Sequence, residues 1–111
     1  MSKINGLEKL NTWDNRSSFQ YNGSAQEGTL IFYRKWWKTN VSAGTYEKML
    51  QHFGKRIVDC GTSRTAPQLG SLGEWLKENV SKTATASYVG AILVSEGYAE
   101  KNGSRIEFLG W

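Results

Sequence analysis

Three apolar stripes at helical spacing follow one another through the second half of the chain, and this succession limits the fold more than any other feature. Tyr46, Met49, Leu50 and Phe53 stand at i, i+3, i+4 and i+7, the spacing that places side chains on one helix face. It predicts a helix from Thr45 to Phe53, opened by Ser42-Ala43-Gly44 and stopped by Gly54. Leu72, Trp75, Leu76 and Val80 form the second stripe, in a helix from Leu72 to Val80. Ser71 stands before it and Glu74 three residues later, the pair that satisfies free N–H groups at a helix start. Ala86, Val89, Ile92 and Leu93 form the third, in a helix predicted from Ala84 to Ser95 and closed by Gly97. No stripe of this kind is stable alone, so the three must share a core.

Strands fill the rest. Arg56 to Gly61 reads as a short one, and Ser81-Lys82-Thr83 as a polar turn. Tyr98 to Lys101 and Arg105 to Leu109 read as two strands around Asn102-Gly103, residues that accept the positive φ of a tight hairpin turn. Upstream, Asn11 to Gly28 is rich in Ser, Asn and Gly and predicts turns with short irregular strands, Ser18 to Tyr21 being paired to a neighbour. Thr29 to Lys38, rich in aromatic and β-branched residues, predicts one strand. The expected class is α+β, one domain, with a strand-and-loop extension over residues 1–44 and a helical unit with a hairpin over residues 45–109.

The order helix, strand, helix, three-residue turn, helix, hairpin resembles the winged helix-turn-helix superfamily. The run from Leu72-Gly73-Glu74-Trp75-Leu76 to Tyr88-Val89-Gly90-Ala91-Ile92-Leu93-Val94-Ser95-Glu96-Gly97-Tyr98 and on through Ala99-Glu100-Lys101-Asn102-Gly103 carries the resemblance. It is one of fold, and residues 1–40 have no part in it. The resemblance implies DNA binding, with the helix over Ala84 to Ser95 in the major groove and the hairpin on the backbone. Thr85, Ser87, Tyr88, Ala91 and Ser95 would then face outward. None is Arg, Lys, Asn or Gln, the usual readers of base edges. Binding through phosphates follows, with Lys82 and Thr83 at the helix start and Lys101 and Arg105 in the hairpin as candidates beside Thr85, Ser87 and Tyr88.

Two further groups are candidates for nucleic acid. In Arg34-Lys35-Trp36-Trp37-Lys38, cations lie beside indoles, a mixture suited to phosphates and bases. In a single strand Arg34, Trp36 and Lys38 would share one face and Lys35 and Trp37 the other. In Ser63-Arg64-Thr65, hydroxyls flank an Arg. For the first group, one Trp buried and the cations merely solvated is the plainer reading; for the second, a plain surface loop is. Gly90 and Ala91 are small enough for close approach, either by a partner or by the N-terminal segment of the same chain.

Charge separates along the sequence. Residues 1–40 carry six bases and three acids, residues 41–69 four and two, and residues 70–111 four and five, giving +3, +2 and −1. The basic part favours double-stranded DNA as partner, with single-stranded nucleic acid around Trp36 and Trp37 as another possibility. The acidic part favours the alternative, a protein-interaction module, through a protein partner or a second copy at Tyr88 and Ala91. Catalysis is not expected: no phosphate-binding glycine loop and no paired acid and base stand out. Cys60, the one cysteine, reads as a buried hydrophobe, and with His52 the one histidine no zinc site is expected. No cofactor or membrane partner is expected. The start, Met1 to Glu8, has no apolar segment of a secretory signal, so a cytoplasmic location is expected for this small basic protein.

Overall fold

Alternation of buried and exposed residues builds the first half. The computed structural model describes residues 7–34, 37–63, 67–80 and 85–110. Strands β1 (Leu7–Asn11), β2 (Ser18–Ser24), β3 (Gly28–Tyr33) and β4 (Trp37–Val41) form an antiparallel sheet in sequence order. Along β2, Phe19 and Tyr21 are buried while Ser18, Gln20 and Asn22 are exposed; along β3, Thr29, Ile31 and Tyr33 are buried. A period of two therefore gives this sheet an apolar face and a solvent face.

Helical spacing builds the second half. The elements are α1 (Ala43–Phe53), β5 (Ile57–Asp59), α2 (Leu72–Asn79), α3 (Ala86–Ser95), β6 (Ala99–Asn102) and β7 (Arg105–Phe108). The last three strands form a second antiparallel sheet, ordered β5-β7-β6. Ser42 and Ser71 cap α1 and α2, each hydroxyl accepting at 3.1 Å from the N–H three residues on. Glu74 reaches back to the N–H of Gly70 at 2.9 Å, one residue before the position a capping box uses. Gly54, at φ 59°, ends α1 and donates to the Leu50 carbonyl.

All three stripes meet in one core. Tyr46, Met49, Leu50, Phe53, Leu72, Leu76, Val89, Ile92 and Leu93 are buried, with Trp75 half-buried against them. Phe53 stacks on Phe108 at 4.7 Å. Phe19, Tyr21, Ile31 and Tyr33 join the same core from the first sheet. The hydroxyls of Thr29 and Tyr46, 2.8 Å apart, bond β3 to α1 inside it.

Three expectations change. Between Asn11 and Gly28 turns do occur and Ser18 to Tyr21 does pair with a neighbour, but the strand is regular, runs on to Ser24 and pairs on both sides. Thr29 to Lys38 is not one strand: Tyr33 pairs with Trp37, and Phe32 with Lys38. The reversal starts at Arg34, whose φ of 55° is rare outside glycine. The last hairpin turns one residue later than expected. Asn102 pairs with Arg105, and Gly103, at φ 64°, takes the first central position. Glycine there with a following residue of ordinary φ fits a type II′ turn rather than Asn-Gly in type I′. The expected turn at Ser81-Lys82-Thr83 and the helix start at Ala84 lie outside the described residues.

Candidate nucleic-acid interface

Paired residues in an antiparallel sheet share a face, so register decides which side chains meet. In the first sheet Lys9 lies opposite Gln20, Gln20 opposite Phe32, and Phe32 opposite Lys38. This row runs across all four strands on the solvent face. Leu7, Asn22, Leu30 and Asn40 form the row beside it, and Asn11 with Ser18 begins a third. Lys9, Gln20, Asn22, Lys38 and Asn40 are exposed and Phe32 is half-buried. No carboxylate stands in these rows.

The hairpin sheet has the opposite character. Its solvent face places Ile57 opposite Glu107 and Glu107 opposite Glu100, then Asp59 opposite Arg105 and Arg105 opposite Asn102. Arg105 is exposed, yet it shares this face with three carboxylates. Lys101 points to the other side. Its Nζ donates to the Trp13 carbonyl and sits 5.0 Å from the Trp13 ring. The expected pair of hairpin cations is thus split, one in an acidic surrounding and one exposed on the opposite side and bonded to Trp13.

The third helix is covered over much of the side expected to face outward, although Ser95 stays exposed. Thr85 is 1% exposed and starts the helix without a side-chain cap. The Ser87 carbonyl accepts the Trp13 N–H at 3.0 Å. Tyr88 stacks on Tyr33 at 4.9 Å and meets Phe19 edge-on at 5.1 Å. A Cβ on Gly90 would lie 2.9 Å from the Trp13 ring and 3.0 Å from the Cys60 sulfur. Small size at Gly90 therefore serves contact with the N-terminal segment, one of the two readings left open by the sequence. Ala91, Val94 and Ser95 line an open groove of about 180 Å³ with Leu10, Trp13 and Lys101.

Glu96, just past α3, anchors the cover. The Tyr21 hydroxyl lies 2.8 Å from one Glu96 oxygen and 2.9 Å from Glu8, while the other Glu96 oxygen accepts from Ala25 N–H at 2.9 Å. Burial, aided by both carboxylates, pushes the Tyr21 phenol far above its ordinary range. It stays a neutral donor.

The remaining candidates spread out. Arg34 is exposed at its turn and Lys38 lies on the basic row. Lys35, Trp36, Arg64, Lys82 and Thr83 lie outside the described residues. Trp37 pairs with Tyr33 and so belongs to the helix-facing side, although it is 58% exposed at the sheet edge. The aromatic on the basic face is Phe32, which the sequence reading passed over. Lys9, Gln20, Asn22 and Asn40 were also missed; the alternation through β2 was the signal that could have found them.

Cys60 is buried as expected, its thiol 3.7 Å from the Ala86 carbonyl. Burial pushes this thiol well above its ordinary range, and Asp59 and Asp14 add to the shift. His52 is exposed beside Phe53 and Trp75. Among the described residues no three of His, Cys, Asp and Glu are grouped to hold a metal, and no helix is long and apolar enough to cross a membrane. Comparison with protein-family models, curated proteins and solved structures finds no match for this chain.

Proposed function

We propose that this chain is a small nucleic-acid-binding protein, a regulator or accessory factor, and not an enzyme. In this reading residues 45–109 are a winged helix-turn-helix, which the order α1-β5-α2-α3-β6-β7 supports. A cytoplasmic location belongs to the same reading. The docking mode implied by the resemblance is not part of this reading, because Thr85 is buried and Tyr88 is packed against Phe19 and Tyr33 of the first sheet. The observation that carries the reading is the row Lys9-Gln20-Phe32-Lys38, which joins two cations on a face whose rows hold no carboxylate. Phosphates are attracted there and repelled by the carboxylates of the hairpin face. Binding is therefore electrostatic and indifferent to duplex sequence.

A salt titration with duplex and single-stranded DNA tests it. Two phosphate contacts, at Lys9 and Lys38, give a log–log slope of about −2 on duplex. The double variant K9E/K38E should weaken binding by about tenfold for each lost contact near 0.1 M salt. No binding of either nucleic acid at low salt would end this reading and put the protein-interaction module first.

A further inference from the structure

Phe32 is unusual where it stands. The solvent face of an antiparallel sheet is normally polar, and β3 is an interior strand with neighbours on both sides. Phe32 is only half-buried and is not among the hydrophobic residues packed on the core. Its cross-strand partners are Gln20 and Lys38, so the ring lies between an amide and a cation. Leu30, two residues earlier, stands on the same face between Asn22 and Asn40. The apolar centre is thus ringed by groups that both donate and accept hydrogen bonds, with a lysine on each outer strand.

We propose that this face is a stacking platform for one strand of nucleic acid, with Phe32 under a base and Lys9 and Lys38 beside phosphates. The inference rests on the nucleic-acid reading above and names its substrate. A base in a duplex is stacked on its neighbours and presents only an edge, so Phe32 can reach a base plane only in a single strand. Aromatic groups hold unstacked bases in this way with little regard to sequence. The amides of Gln20, Asn22 and Asn40 suit base edges, which carry donors and acceptors. Charge fixes the class of partner. Both cations favour a polyanion, and a basic protein surface finds no carboxylate on these rows.

The test measures anisotropy of labelled 15-nucleotide oligo-dT and of a 15-base-pair duplex with the full chain at about 50 mM salt, competed by oligo-U. Oligo-dT should bind more tightly than duplex, and oligo-U should displace it, because neither stacking nor phosphate attraction needs the sugar hydroxyl. Phe32→Leu keeps an apolar side chain and removes the ring face. It should weaken oligo-dT about tenfold and leave duplex binding unchanged. Phe32→Tyr should bind like the parent, and melting curves of both variants should match it. Tighter binding to duplex, or Phe32→Leu without effect on oligo-dT, would overturn the platform. In that case a K9E/K38E loss on duplex would still uphold the charge reading. If neither nucleic acid binds, both fall together.

Discussion

On the solvent face of β1–β4, Lys9 and Lys38 stand with amides around Phe32; on that of β5–β7, Glu100, Glu107 and Asp59 stand around Arg105. The two sheets share a core and a strand direction rule, yet they offer a polyanion opposite surroundings. Counting charge by segment conceals how this arises. Residues 70–111 carry only −1, but alternation along β6 turns Glu100 to this face and Lys101 to the opposite side, bonded to Trp13. Asp59 joins the same face from β5, so this face carries three carboxylates against one cation. Pleat, and not composition, decides which charges a ligand meets.

The largest expected effect tests whether the two regions are separable at all. Leu93, fully buried, sits in the core that joins both sheets. Leu93→Ala should cost about 2–5 kcal/mol, and urea unfolding should remain one transition for fluorescence and circular dichroism alike. Two separated transitions would mean that the sheets are independent bodies.

A smaller effect compares their surfaces directly. Arg105→Glu should change affinity for oligo-dT or duplex by less than about threefold, because Arg105 already lies among carboxylates. A loss as large as that expected from K9E/K38E would return the hairpin to the centre of binding. The smallest effect concerns Glu100 and Glu107, which lie directly opposite each other. Glu107→Lys converts a like-charge pair into an attractive one and should stabilise the fold by about 0.2–1 kcal/mol in urea. A destabilisation instead would show that Glu107 serves the fold in a way the pairing does not reveal.

The helical half was legible because its signals are local. Ser42, Gly54, Ser71 and the three stripes act within one or two turns of chain, and the elements lie within two residues of the expected ends. The reversal after Tyr33 was not legible, because no Gly, Pro or Asn marks it and Arg34 adopts positive φ. That one turn changes which residues share a face with Lys38. Phe32, from the same run of sequence, becomes the cross-strand companion of Lys38. The packing of α3 was hidden for a different reason. Thr85 and Tyr88 look like surface residues on a helical wheel, and only the fold of a segment more than fifty positions upstream brings Phe19 and Tyr33 against Tyr88. Long-range contacts of this kind leave no periodic trace in a sequence.

The Tyr21–Glu96 bond links residues 75 positions apart, and this distance sets an order of assembly. The first sheet is a meander of adjacent strands and is complete once Val41 has been made. Its inner aromatics then wait for α1 and, later, for α3 and Glu96. During synthesis at about 5–20 residues per second, Phe19, Tyr21 and Tyr33 stay uncovered for several seconds. The last helix is therefore made after the sheet it covers, and the shared core can close only once Glu96 has followed.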